Sequence, residues 1–320
     1  MAENILVIDA GTTSTRAMVF APDGKLLRVA QAALTQHYPQ PGWVEHDAAE
    51  IWARSLGCAR EVAGDGADAI AAIGVTNQRE TVVAWDKASA EPLARAIVWQ
   101  DRRTADACAE LKRAGHEAAV QTATGLLLDP YFSATKMRWL LDNDGRVRAA
   151  AESGRLAFGT VESWLAFKLS GEHISDASNA SRTLLLTLDG AQFDEGLCDL
   201  FGVRRTALPR VTDTHGALAA TDPTWFGRAI PICGLIGDQQ SATVGQGCLS
   251  LGETKATFGT GAFVLTNMGE TLPRSANRLL GTVLTQAGGC RSYALEGAVF
   301  VAGSLVQWLR DSLGLISSAA

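Results

Sequence analysis

The residues best placed to do chemistry stand in Leu235-Ile236-Gly237-Asp238-Gln239-Gln240-Ser241-Ala242. The apolar run from Ile230 to Ile236 reads as a buried strand, and Gly237 lets the backbone turn sharply after it. Asp238 then falls at the mouth of a strand-to-helix turn, where α/β proteins bind small molecules. A carboxylate there can take the proton of a hydroxyl as it attacks a phosphate. Asp is also a favoured helix N-cap. Taken alone, the cap is the commoner role.

A second cluster is Asp9-Ala10-Gly11-Thr12-Thr13-Ser14, between the strand-like Ile5 to Ile8 and a second strand, Thr15 to Phe20. A hairpin tip with a glycine and three hydroxyl residues can aim N–H groups and hydroxyls at a phosphate chain. Asp9 could hold a hydrated Mg²⁺, which takes one or two carboxylates plus phosphate oxygens, and Arg16 could touch a phosphate. An ordinary tight turn uses the same residue types. The tip ends in no Gly-Lys-Ser/Thr, so it is not a P-loop. The pattern returns as strand Thr254 to Phe258, tip Gly259-Thr260-Gly261 and strand Ala262 to Thr266. Two copies of one unit suggest two related halves facing each other, and two facing Gly–Thr tips can grip a triphosphate. Arg79-Glu80, Trp99 and Tyr131 are further polar and aromatic residues at strand ends or loops. Charged pairs are mostly exposed and Trp mostly packed, so their positions rather than their types single them out.

The elements that must position these groups read as α/β with a mixed sheet. Lys25 to Leu34, Ile70 to Val75, Thr81 to Trp85 and Ala94 to Trp99 are expected strands. Asp47 and Glu50 fit a capping box opening a helix from Ala48 to Val62, and further helices are expected up to Ala114, over Thr135 to Leu141 and over Gly159 to Leu169. Asp176 to Arg182 reads as a polar loop, and Val203 to Gly227 as a peripheral loop with short helical pieces. Leu279 to Thr285 and Ser292 to Leu295 read as strands, and Gly297 to Leu313 as a helix with Gly303 inside it, where glycine costs about 1 kcal/mol relative to Ala.

The composition excludes several classes. The 320 residues carry 47% apolar and 19% charged side chains and a net charge of −6, which fits a folded core. No basic block points to nucleic acid as a partner, and no apolar run reaches the length of a membrane span. Cys58, Cys108, Cys198, Cys233, Cys248 and Cys290 form no C-x-x-C pair, and read as reduced thiols of a cytoplasmic protein.

The set of motifs resembles the FGGY carbohydrate kinases, in their glycerol-phosphorylating branch. It comprises Gly11-Thr12-Thr13-Ser14, Pro41 to Asp47, Thr76 to Thr81, Trp99 to Thr104, Asp129 to Ser133, Asn179 to Thr183, Gly237 to Gln240, Phe258 to Gly261 and Tyr293 to Ala298. The resemblance implies an actin/hexokinase-like (ribonuclease H-like) fold, with a complete first domain over residues 1–247 and the start of a second over 248–320. It implies ATP-dependent phosphorylation of glycerol, with Asp238 as general base. Arg79, Glu80, Tyr131 and Gln239 would bind the hydroxyls, and Trp99 and Phe263 the carbon face. Thr12, Thr13, Ser14, Arg16, Thr260, Gly303 and Gln307 would line the nucleotide site, and Asp9 would serve Mg²⁺.

Departures from the family pattern go with the resemblance. Ala10 stands where Gln is common, and the loop Asp222 to Arg228 lacks the Gly-rich basic segment and the His of regulated relatives. Family members also continue past the point matching Ala320, which implies an adenine pocket further on and an apolar surface left at Leu313 to Ile316. A non-catalytic glycerol- or nucleotide-binding remnant, or a kinase for another small polyol or sugar, is the alternative reading. Family members commonly associate, so a homo-oligomer is a possible state.

Overall fold

The structure, a computed structural model, describes residues 3–259 and 261–318, with the backbone alone for residues 65 and 66. Its first sheet grows from simple alternation. Along β1 (Asn4–Ala10) Leu6, Ile8 and Ala10 are buried. β2 (Ser14–Phe20) folds back antiparallel with Ala10 opposite Thr15, which leaves Gly11 to Thr13 as the tip and puts Ser14, expected in the tip, in the strand. β3 (Leu26–Ala33) completes the meander. α1 (Ala48–Ala63) lays Ile51, Cys58, Ala59 and Val62 against it, the one-face spacing of an amphipathic helix. Asp47 caps α1 by accepting the amides of Ala49 at 2.8 Å and Glu50 at 3.3 Å. The reciprocal half of the expected capping box is replaced: Glu50 accepts instead from the amide and hydroxyl of Thr35, at 3.2 and 3.1 Å.

β4 (Ile70–Asn77) then pairs parallel to β1. α2 (Ser133–Asn143), α3 (Val161–Ser170) and the one-turn α4 (Ala177–Ala180) follow, before β5 (His215–Ala220) and β6 (Pro231–Gly237) return to the sheet. The strand order is β5-β6-β4-β1-β2-β3, with β1, β4 and β6 mutually parallel. Asp9 lies beside Thr76, and Gly237 beside Asn77. Asp9, Arg79 and Asp238 therefore leave the sheet at one edge, the carboxyl ends of parallel strands where open α/β sheets bind ligands.

Several expectations change here. Residues 203–227 are not a peripheral loop, for they supply β5 at the sheet edge and a strand, Arg210–Thr212, paired with Ile174–Asp176. His215-Gly-Ala-Leu-Ala-Ala has no β-branched residue, so only its pairing to β6 makes it a strand. Of Ala94 to Trp99, only Ala96–Ile97 is strand. The polar stretch Asp176 to Arg182 is wholly buried, and Asp176 caps α4.

α5 (Asp238–Gly245) leads to the second sheet, β7 (Thr254–Phe258), β8 (Ala262–Gly269), β9 (Leu280–Ala287) and β10 (Cys290–Val299), in the antiparallel order β7-β8-β10-β9. The helix expected from Gly297 starts later, as α6 (Gly303–Asp311), because β10 runs on to Val299. Gly303 thus opens the helix rather than interrupting it, and the mid-helix cost does not apply. Phe263, Leu265, Val283, Tyr293 and Ala294 of the second sheet share a core with α2 and with Leu184 to Leu188. Phe258, Val299, Trp308 and Leu315 remain exposed, an apolar patch of the kind that marks contact surfaces.

The second sheet meets the end of the helix Glu117–Thr124 at a glycine seam. Gly125 has φ +72°, and its carbonyl accepts the Gly281 amide at 2.8 Å. A Cβ on Gly125 would stand 2.9 Å from Gly281 Cα and from Leu188 Cδ1. Gly125→Ala should therefore lose about 2–4 kcal/mol in urea unfolding, from left-handed strain plus overpacking. Gly145→Ala, which meets nothing within 4 Å, should shift stability by less than about 1 kcal/mol.

Candidate active site

The site is built around the end of β4. The Thr81 amide donates to the Arg79 carbonyl at 2.7 Å, which folds Glu80 into a tight turn at φ +61°. A side chain in that region costs about 1–3 kcal/mol and persists only where its surroundings fix it. Ser133 Oγ donates to the Glu80 carbonyl at 3.0 Å, and Arg182 Nε to Glu80 Oε1 at 2.6 Å.

Arg79 is almost fully enclosed. Its Nη1 donates to Glu296 Oε2 at 2.6 Å and Gln240 Oε1 at 3.2 Å, and its Nη2 to Glu296 Oε1 and Tyr131 Oη, both at 3.1 Å. Only Nε is left, 3.5 Å from Asp238 Oδ1 and 3.7 Å from Glu80 Oε1. Arg182 Nη2 also donates to Glu296 Oε1, at 3.0 Å. Burial alone would raise the Glu296 carboxyl, but Arg182 and Arg79 outweigh it and hold it ionised, below its usual range. Burial pushes the Tyr131 phenol well above its usual range, with Arg79 opposing.

Asp238 is the first residue of α5, and Gly237 takes the cap position. The cap role is therefore not the one Asp238 plays. Its Oδ1 accepts the Gln239 amide at 2.7 Å. The side chain sits deep yet keeps 36% of its surface open. Burial raises its pKa to about 6; Arg79 opposes, while Glu80 and Asp9 add to the rise. A carboxylate poised there accepts a proton efficiently near neutral pH. Gly237 is required by close approach, because a Cβ would lie 2.8 Å from Arg79 Cδ. Its amide donates to Ser178 Oγ at 3.0 Å, and Ser178 Oγ donates to Asp176 Oδ1 at 2.9 Å. The buried α4 is thus a brace for the Asp238 turn.

The first hairpin tip is pinned from below. Trp99 Nε1 donates to Thr12 Oγ1 at 2.9 Å, and Gln36 Nε2 to the Thr12 carbonyl at 2.8 Å. Gln78 Nε2 donates to the Gly11 carbonyl at 3.0 Å. His46 bridges the two amides, 2.9 Å from Gln36 Oε1 and 3.2 Å from Gln78 Nε2. Because Gln36 offers an acceptor and Gln78 a donor, the bonds require a neutral ring protonated at Nε2. Burial, which pulls the His46 pKa down to about 4, keeps it neutral.

Arg79, Glu80, Trp99, Tyr131, Asp238, Gln239 and Phe263 all line one cleft of about 140 Å³. Thr12 enters it from the first tip, and Thr257, Gly259 and Gly261 from the second. Thr260 lies outside the described residues. Thr13 is exposed at the tip, Ser14 Oγ accepts from Gln31 at 2.9 Å, and Arg16 stands 3.8 Å from Asp9. Gly303 donates its amide to the Gly259 carbonyl at 2.9 Å. Gln307 is exposed on α6 and is not among the cleft-lining residues. Burial raises Asp9, with Arg16 opposing. Among the described residues no cluster of three or more metal-type ligands exists, so a cation here would rest on Asp9 and ligand oxygens, a donor set that suits Mg²⁺. The sequence reading missed Glu296, Arg182, Gln240 and Lys255 as site residues, although a lone Glu or Lys within a strand was a visible signal.

This sheet, with a cleft at its carboxyl edge lined by Thr12 from one hairpin and by Gly259 and Gly261 from another, defines an actin/hexokinase-like sugar kinase fold. The profile of the N-terminal domain of the FGGY family of carbohydrate kinases matches residues 4–245, and the chain belongs to that family. It is 56% identical to a glycerol kinase of Rhodospirillum rubrum, over 99% of this chain and 65% of that one. It is 53% identical to a glycerol kinase of Methylobacterium nodulans, over 100% of this chain and 65% of that one. The crystal structure of Plasmodium falciparum glycerol kinase with ADP superposes with a TM-score of 0.92 at 34% identity, covering 99% of this chain and 65% of that chain. A xylulose kinase of Rhodospirillum rubrum superposes at 0.85 with 24% identity over 99% of this chain and 64% of that one, a likeness of fold. The chain thus spans about 65% of the length of these curated relatives. No helix among the described residues is long and apolar enough to cross a membrane.

Two outcomes follow from the electrostatics. The folded state binds a proton at Asp238 up to about pH 6, whereas an unfolded Asp releases it near 3.9. This group therefore weakens folding as pH rises through that window. Asp238→Asn should raise Tm at pH 7.5, and the gain should shrink towards pH 4. Glu296→Gln leaves two buried guanidinium groups short of charge and should cost about 3–5 kcal/mol in urea unfolding.

Proposed function

We propose that this chain carries the glycerol site and part of the nucleotide site of an ATP-dependent kinase that forms sn-glycerol 3-phosphate. The observation that carries the reading is the open carboxylate of Asp238, poised near pH 6 in a cleft of about 140 Å³ between two phosphate-type hairpin tips. The names of the relatives and the ADP in the Plasmodium falciparum structure support it.

In this reading residues 1–247 supply the glycerol half and residues 248–320 begin the nucleotide half. A terminal hydroxyl of glycerol gives its proton to Asp238 while its oxygen bonds to the γ-phosphorus of ATP. The bond from that phosphorus to the β,γ-bridging oxygen breaks, and ADP leaves. Glu80 and Asp238 accept from the hydroxyls, while Arg79 Nε, Tyr131 and Gln239 complete the polar contacts. Trp99 and Phe263 cover the carbon chain. So small a triol offers little apolar area, and its selection rests on hydrogen bonds, which can reject an analogue lacking one hydroxyl by as much as ~10⁴. Thr12, Thr13, Ser14, Arg16, Thr260, Gly303 and Gln307 serve the nucleotide. Asp9 would hold Mg²⁺, which neutralises phosphate charge when bound. Free cysteines, mostly buried, suit a cytoplasmic setting.

The test is glycerol-dependent ADP release with ATP and Mg²⁺. Asp238→Asn should lower turnover by a factor on the order of 10²–10⁴. Near-normal turnover in that variant overturns the base. Glycerol raising Tm without any turnover reduces the chain to a binding unit, and pentuloses outcompeting glycerol moves the substrate class.

A further inference from the structure

Lys255 is a buried cation that the proposed reaction does not use. It is the inward-facing residue at the start of β7, between exposed Thr254 and exposed Ala256, and is itself 5% exposed. Among the described residues no carboxylate comes within ion-pair distance of it. Its Nζ contacts Gln239 Oε1 at 2.8 Å.

An ammonium carries only donors, so the atom it touches must be the amide oxygen. This fixes which way the Gln239 amide lies. The Gln239 Nε2 has no acceptor among the described residues, and Gln239 lines the cleft. We propose that Lys255 is a positioning residue: by occupying Gln239 Oε1 from the second sheet, it commits the Gln239 amide to offering N–H donors to a hydroxyl oxygen of the substrate. The polyol named as substrate rests on the reading above; the lysine–amide lock does not. The cleft then pairs acceptors, Asp238 and Glu80, with donors, Arg79 Nε and Gln239, and each substrate hydroxyl can give one bond and take another.

The lock is sensitive to pH. Burial pulls Lys255 down to about 8, helped by Arg79 at the end of β4 and opposed by Asp238 on α5, Glu296 on β10 and Cys248. Once neutral, the amine can accept as well as donate, and the amide is free to turn. Asp238, near 6, is already ionised across that range.

The test uses calorimetric titration of the full 320-residue chain with glycerol from pH 7 to 9.5, together with the side-chain amide resonance of Gln239. For the wild type, glycerol Kd should rise above pH 8. Lys255→Met should raise Kd about tenfold at pH 7, the scale of one hydrogen bond to a charged group, with no further rise to pH 9.5. Lys255→Arg, which keeps a charge at all these pH values, should stay within about threefold of wild type and lose the alkaline rise. It also separates the lock from any misfolding of the Met variant. The Gln239 amide resonance should shift in Lys255→Met without glycerol present. Wild-type affinity in Lys255→Met, or an unmoved Gln239 resonance, overturns the proposal. If the wild type binds no glycerol, the polyol reading fails, and the Gln239 resonance still decides for or against the lock.

Discussion

Everything in the cleft depends on one buried arrangement of charge. Arg79 and Arg182 face Glu80 and Glu296, all at most 1% exposed at the side chain. Burying one such ion alone costs several kcal/mol, and the cost is offset only where partners and geometry are complete. Here Glu296 takes two donors from Arg79 and one from Arg182, and the four groups sum to zero charge. Asp238 is the surplus. Burial raises its pKa, and Arg79, already committed elsewhere, opposes that rise only in part.

The arrangement also fixes the shape of the molecule. Glu296 stands on β10 of the second sheet, whereas Arg79 ends β4 of the first. Gln240 adds a second crossing, accepting from Arg79 and donating to Thr282 Oγ1 at 3.2 Å. The polar residues facing a ligand are thus set by both sheets at once. Relative movement of the sheets would disturb the bonds of Arg79, so the polar lining of the cleft and the sheet-to-sheet geometry are coupled.

What the sequence made legible follows the same logic. The Gly–Thr tips, the strand ends and the Asp238 turn were readable because glycine, hydroxyl and apolar-run signals are local. The strand β5 was not, because His215 to Ala220 has small side chains and owes its form to a partner strand. The start of α6 was misplaced because β10 keeps its extended form past the apolar Leu295, through Glu296 and Gly297, held by register to β8. Glu296 and Lys255 escaped notice as site residues because their importance lies in what they touch across more than fifteen residues of sequence, Arg79 in one case and Gln239 in the other. The role of Gln307 rests on resemblance, since the fold leaves it exposed on α6, whereas Asp9 stands at the carboxyl edge of the first sheet.

The placing of Asp238 one residue inside α5 explains why a common capping residue is free for other work. A capping Asp turns a carboxylate oxygen to the amides two and three residues on, as Asp47 does for α1 with Oδ1. At the start of α5 glycine occupies the cap, which the close approach of Arg79 demands in any case. Asp238 then takes a single amide on Oδ1, and Oδ2 is bonded to no described residue. A buried carboxylate with one oxygen neither capped nor paired can take a proton near neutral pH. The same glycine-then-aspartate order that blurs the helix start in the sequence leaves burial, the main cause of the raised pKa, opposed by only one backbone amide.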